Sequence, residues 1–396
     1  MTDERNYDVI IIGAGAAGIS LLLALQERNY AGSVKVLEKN THLKNDRMWS
    51  FWHKQDIPSY IQKIIAQDWH QWSLSVNTVT HSMTHPEYRY SCIRAESLLN
   101  LGLLAFSENN NFDIEFDSDV ESVESLKKHA LIQTKQGTLR ANLVVDTRPP
   151  PLHHQHNGML QSFYGEEIKT DVDMFEPSTA KLMDQLACSA LGIEFVYILP
   201  FTTRHALVEF TCFSPSIIAI KVLKMRLKTY LEANLHLSSY QVERIENAVL
   251  PMYQINKNIT NKQQRLIYGG IAGGAMRSST GYSFLSSQKW AIACADTIIC
   301  KKSLSTYTPV NLVYQKMDAL MLSIIRNSPI IGPTIFSQMF TKVSPARFVR
   351  FMTERATLTD FFAVIWAMPK RVFLSSLFSR STKNPSSDVI DEANRE

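Results

Sequence analysis

The chain has 396 residues, 45% hydrophobic and 20% charged, enough for two or three lobes around linked cores and too apolar for wholesale disorder. With 41 basic against 37 acidic residues the net charge is only +4, which gives no footing for nucleic-acid binding. Cys92, Cys188, Cys212, Cys294 and Cys300 form no C-x-x-C pair, and no leader peptide or apolar run of roughly 20 residues stands out, so a reduced, cytoplasmic setting is expected.

Val9–Ile12, after Tyr7 and Asp8, is a β-branched run that reads as a buried parallel strand. Gly13-Ala14-Gly15-Ala16-Ala17-Gly18 follows, a full G-x-G-x-x-G. Gly13 permits the tight turn, Gly15 lets the backbone approach a pyrophosphate, and Gly18 lets a helix lie close on the strand. The helix is expected over Ile19–Arg28, with its N-terminal amides towards the phosphates. A second strand, Ser33–Leu37, ends at Glu38, twenty residues past Gly18. A carboxylate there accepts ribose hydroxyls and repels a 2′-phosphate. Together these features predict a Rossmann unit that holds the ADP half of a dinucleotide. Regular βα alternation then stops at Asn45-Asp46-Arg47-Met48-Trp49-Ser50-Phe51-Trp52 and returns only near residue 90. Such an insertion suits an FAD-binding domain of glutathione-reductase type better than a simple NAD dehydrogenase.

Ile93–Leu99 reads as the start of an amphipathic helix, and 113–140 as short strands around turns. Ala141–Val145 is a strand ending in Asp146, an acid that either faces the ligand crevice or caps a turn. From Leu160 to Ser214 the pattern predicts an antiparallel substrate lobe, with strands at Phe163–Gly165, Ala180–Asp184, Phe195–Pro200 and Ala206–Thr211. A helix follows over Ile220–Asn234. Leu266–Gly270 is a further strand, and the glycines Gly270, Gly274 and Gly281 after it favour close backbone approach to a ligand, ahead of a helix to Ile299. The expected organisation is α/β: an FAD-binding domain over 5–150 and 265–300 with 40–90 inserted, an antiparallel substrate domain over 151–264, a helical region over 301–380 and a disordered tail from 381. No metal site is read, since His153, His154 and His156 lack companion carboxylates or thiols.

The glycine fingerprint, the Asn45–Trp52 segment, Leu207-Val208-Glu209-Phe210-Thr211 and Ser279-Thr280-Gly281-Tyr282-Ser283 occur in the order of the bacterial lycopene β-cyclases. The chain resembles the Bacteroidetes-type members of that family from about Tyr7 to about Phe378. The resemblance implies an FAD-dependent enzyme, active with reduced flavin and NAD(P)H as electron donor. It would close the ψ ends of lycopene into β-ionone rings, by way of γ-carotene to β-carotene, with no net redox change. It sets Arg94 against the pyrophosphate and Tyr282 near the flavin. A single acid in a strand commonly faces solvent, but the resemblance makes Glu209 the proton donor, kept neutral by Leu207, Val208, Phe210 and Phe213. Asp184 is a second acid candidate, against the reading of a satisfied strand-end carboxylate. Trp49, Phe51, Trp52, Phe163 and Tyr164 would line the substrate site and turn aromatic faces to a carbocation. Many members carry a second acid directly after the one matching Glu209; here Phe210 stands there. An FAD-dependent monooxygenase acting on an apolar substrate shares the opening fold and is the alternative.

A C40 hydrocarbon resides in the bilayer, so a peripheral seat on the inner face of the cell membrane is expected, with possible contacts to other carotenoid enzymes. The last seventy residues suit this. Lys342, Arg347, Arg350, Arg355, Lys370, Arg371 and Arg380 stand beside apolar runs such as Phe361–Met368. A helical layer covering the core would show the same pattern.

Overall fold

The computed structural model describes residues 6–43, 45–149, 151–152, 158–255, 265–300 and 311–370. The histidine cluster at 153–156, Arg371, Arg380 and the tail from 381 lie outside the described residues. β1 (Asn6–Ile12) runs through the glycine turn into α1 (Ala16–Glu27). The helix starts ahead of its apolar run because Gly18 lets it sit on the turn: a Cβ there would lie 2.0 Å from the Gly13 carbonyl oxygen. β2 (Val34–Leu37) follows.

The insertion holds β3 (Met48–His53), α2 (Ser59–Gln62), β4 (Ile65–Trp69), β5 (Gln71–Val76), β6 (Val79–Thr84) and β7 (Arg89–Arg94). The helix expected from Ile93 begins instead at Ala95, as α3 (Ala95–Glu108). Tyr90 to Ile93 are buried on both sides of β7, between β3 and β4, and this outweighs their helical spacing. β8 (Phe112–Glu115), β9 (Val120–Ser125), β10 (Ala130–Thr134) and β11 (Gly137–Asp146) complete the first half. Next come β12 (Met159–Lys169), β13 (Thr179–Cys188), β14 (Ile193–Thr202), β15 (His205–Ser214), α4 (Ile220–Asn234) and β16 (Gln241–Met252). β17 (Leu266–Tyr268), α5 (Phe284–Ile299), α6 (Leu312–Asn327), a 3-10 turn at Pro329–Ile331, α7 (Gly332–Lys342), α8 (Pro345–Met352) and α9 (Leu358–Ala367) follow.

The first sheet has the order β8-β2-β1-β11-β10-β9, with β17 also on β11; β8, β2, β1, β11 and β17 are parallel. Its apolar face packs on α1, α3 and α5 through residues such as Ile11, Leu22, Leu98 and Ala291. The second sheet has the order β16-β12-β15-β14-β13-β5-β6. Two of its seven strands come from the insertion, with β5 parallel to β13. β3, β7 and β4 form a small third sheet between the two.

Alternation in the second sheet builds two cores. Val196, Val208, Phe210 and Cys212 face α4, while Phe195, Leu207 and Phe213 face the C-terminal helices. Among the described residues no single helix is long and apolar enough to cross a membrane.

Arg277 ties these layers together. It is 1% exposed, and its Nε and Nη2 donate to the two Asp318 oxygens at 3.0 and 2.6 Å. Its Nη1 donates to the Phe351 carbonyl at 3.0 Å, and its plane lies over Tyr314 and Phe351. One side chain thus joins the glycine-rich segment before α5 to α6 and α8. Arg277→Met leaves Asp318 charged and buried, and should lower stability by about 3 kcal/mol, read from the urea midpoint. Adding Asp318→Asn should recover part of that loss.

Candidate active site

The first half ends in a cradle for an anionic ligand. Gly13, at φ +95°, makes the turn, and a Cβ on Gly15 would meet nothing within 4 Å. Gly15 therefore faces open space, although packing alone would tolerate a side chain there. Glu38, buried at the end of β2, accepts the Ala14 amide at 2.9 Å and the Asn40 amide at 2.9 Å. Gly270 (φ +59°) is pressed on Ala17, so the second glycine segment closes on the start of α1. The donor set fits the ADP half of FAD: amides at a helix start, room for a pyrophosphate and a ribose-accepting acid.

Beyond it lies a cavity of about 670 Å³. Its walls are β3, the inner face of the second sheet, the Thr280–Phe284 segment and helices α6 to α9. Trp52 lines it, with ring centroids 4.6 Å from Tyr90, 5.1 Å from Tyr282 and 5.7 Å from Phe348. The Tyr90 hydroxyl bonds those of Tyr197 (2.8 Å) and Tyr282 (2.9 Å). Burial pushes all three phenols well above their ordinary range, so they stay neutral.

One row across the sheet carries the acid chemistry. Tyr197 of β14 is opposite Glu209 of β15, Glu209 is opposite Gly165 of β12, and Gly165 is opposite Glu246 of β16. A Cβ on Gly165 would lie 3.0 Å from the Glu209 Cβ. The two glutamates therefore approach each other across the gap, and each carboxyl bears on the other's ionisation. Both are buried, and both line the cavity. Burial and then the charge of Glu246 push the Glu209 carboxyl well above the usual range; the Thr211 hydroxyl, donating at 2.8 Å, pulls the other way. Burial also raises Glu246, but Arg244 Nη1, donating at 2.7 Å, restrains it. Arg244 Nε also bonds Glu167 at 3.0 Å. Despite burial, bonds from Arg94 and Arg244 hold Glu167 at about 2.

The predicted residues divide by strand alternation. Glu209, Trp49, Trp52, Phe163, Gly281 and Tyr282 line the cavity, as does Arg47. Tyr164 does not: it falls on the other face of β12, where its hydroxyl donates to Glu166 at 2.8 Å in the core under α4. Asp184 is likewise turned away from the cavity. It is opposite Val196 and accepts from Ser75 at 2.7 Å and from Tyr230 of α4, so the reading of a satisfied strand carboxylate describes it. Phe51 is buried in the first core, stacked on Phe284 at 5.2 Å. Arg94 ends β7 with both its terminal nitrogens on Glu167, at 2.8 and 2.5 Å, rather than reaching the glycine turn. Asp146, at the end of β11, holds Arg148 by a forked pair, at 3.0 Å from Oδ1 and 2.7 Å from Oδ2. Gly274 (φ +84°) shapes the turn between β17 and α5. Glu246 was not predicted from the sequence. Its signal is the alternation of 241–252, where Arg244 and Glu246 occupy one face.

The parallel sheet, the glycine turn and the inserted sheet over a cavity define the fold of FAD-dependent flavoprotein oxidoreductases. Two solved structures share it. One is a geranylgeranyl bacteriochlorophyll reductase-like protein from Thermoplasma acidophilum (TM-score 0.61, 13% identity, covering 94% of this chain and 98% of that one). The other is a flavoprotein/dehydrogenase from Cytophaga hutchinsonii (TM-score 0.59, 13% identity, 95% and 100%). Within that class the family model described as lycopene cyclase protein matches residues 8–378, and the chain belongs to that family. A lycopene beta-cyclase from Pantoea ananas is 22% identical over 399 residues, covering 94% of this chain and 98% of that protein.

Gly15→Ala, set in open space, should leave thermal stability unchanged yet weaken FAD binding at least about tenfold, since the methyl occupies the pyrophosphate's approach. Titration of the apoprotein with FAD, followed by flavin fluorescence, checks the affinity, and a thermal melt checks the stability against Gly18→Ala, which should destabilise the fold itself.

Proposed function

We propose that the protein closes the ψ ends of lycopene into β-ionone rings, through γ-carotene to β-carotene, by acid-initiated carbocation chemistry. The observation that carries this is Glu209: a buried acid, held neutral, facing an aromatic-lined cavity. A neutral carboxylic acid in a dry site can protonate an alkene that water could not. Glu209 delivers its proton to C2 of the terminal C1=C2 bond, leaving a tertiary cation at C1. The C5=C6 pair then forms the C1–C6 bond, and the charge moves to C5. Loss of the C6 proton leaves C5=C6 and the β ring, so atoms and electrons are unchanged overall. Trp52, Tyr90, Tyr197 and Tyr282 surround this end of the cavity and turn aromatic faces to the cation. Reduced FAD, held by Gly13, Gly15, Gly18 and Glu38 and kept reduced by NAD(P)H, would supply fixed negative charge to stabilise a cation.

The substrate's route is supported by α9. Leu358, Phe362 and Trp366 are 78%, 72% and 74% exposed, while Val364, Ile365 and Trp366 line the cavity. Lys370 Nζ lies 3.3 Å from the Trp366 ring centre. An apolar rim that continues into the cavity, with a base beside it, suits the inner face of the cell membrane, with the carotenoid drawn from the acyl layer. Arg347 and Arg350 both pair with Asp360 and Arg355 with Asp56, which leaves Lys342 and Lys370 for head groups. Association with other carotenoid enzymes would follow from the same seat.

The test is an anaerobic assay with lycopene in liposomes and dithionite-reduced FAD. A cyclic product of unchanged mass is expected, and Glu209→Gln should lower its rate at least about 100-fold with flavin still bound. In a parallel aerobic assay with NADPH, oxygen uptake matched to product would instead establish the monooxygenase reading. Replacing Phe362 and Trp366 together by Ser should weaken co-sedimentation with anionic phospholipid vesicles about tenfold or more.

A further inference from the structure

We propose that Glu246 is the base of the reaction: it takes the C6 proton and returns it to Glu209 through a hydrogen bond between them. This rests on the cyclisation reading above. The argument begins with Gly165. It lies between Glu209 and Glu246 in one row of the sheet, and any side chain there would fill the space in which the two carboxyls meet. Both acids line the same cavity.

Their surroundings differ in charge. Glu246 accepts from the Arg244 guanidinium at 2.7 Å. Glu209 has the neutral Thr211 hydroxyl at 2.8 Å. The pair's one proton therefore belongs on Glu209 and its one negative charge on Glu246.

The reaction needs this division. A proton enters at C2 and another leaves from C6. Both carbons are bonded to C1, so they are close enough together for one hydrogen-bonded pair of carboxyls to reach both. After ring closure Glu209 is ionised and Glu246 protonated. Transfer of that proton along their hydrogen bond restores the starting state, with no net proton taken from or given to solvent. Arg244 keeps its bond to Glu167 throughout, so the positive charge beside the pair stays fixed.

The experiment compares wild type, Glu246→Gln, Glu246→Asp and Glu209→Gln in D₂O, as the flavin-loaded full chain on lycopene liposomes. Glu246→Gln should lose β-ring formation about 100-fold or more while the recovered lycopene gains deuterium at C2, because Glu209 still protonates and takes a proton back. Glu209→Gln should show neither ring nor deuterium. Glu246→Asp keeps a carboxylate and should form β rings within about tenfold of wild type. The inference is overturned if Glu246→Gln cyclises within about threefold of wild type, or stops deuterium uptake as well as ring formation with flavin bound. If Glu246→Gln fails to bind flavin, Glu246→Asp decides alone, and a flavin-bound Glu246→Asp without β rings overturns it. A wild-type protein that forms no ring in the same assay would instead overturn the cyclisation reading itself.

Discussion

Keeping Glu209 uncharged requires that water be held away from its carboxyl. The second sheet supplies one wall, α6 to α9 a roof, and the aromatic residues of β3 and β7 an end plate. Arg277 holds roof to floor by a charge that is itself fully paired, so closing the chamber introduces no orphaned ion. The raised phenols and carboxyls are all consequences of that same exclusion. Charge that must persist lies one row further along the sheet, where Glu167 gathers Arg94 and Arg244.

The parts legible in the sequence are those set by short-range rules. The glycine turn and Glu38 are fixed by spacing within one βαβ unit, and α4 has the limits its pattern predicts. The strands of β12 to β15 contain every segment read as strand between 163 and 211. What was not legible depends on which strands become neighbours. That Gly165 brings Glu209 and Glu246 together follows from three strands far apart in sequence. Asp184 and Tyr164 were assigned to the site by type, yet each lies on the wrong side of its strand, a period-two property that needs the sheet's inner face to be known. Arg94 was assigned by place, and the unforeseen Glu167 claims it.

Phe210 gains a meaning from the same geometry. It packs under α4 with Val208 and Cys212, on the face away from the cavity. An acid placed directly after Glu209 would, on this strand, point into that core. The second carboxylate at the cavity comes instead from β16, on the far side of Gly165.

The parallel pairing of β5 with β13 has a mechanical consequence. β5 belongs to a segment that leaves the Rossmann half after β2 and returns to it at α3, yet with β6 it extends the other lobe's sheet beyond β13. The two lobes are therefore sewn together by a ladder rather than leaned against each other. Parting them like jaws would tear backbone bonds, with Trp72 and Ala180 exposed at the rip. Traffic through this protein has to pass by way of loosening helices at the rim, not by a swing of one half away from the other.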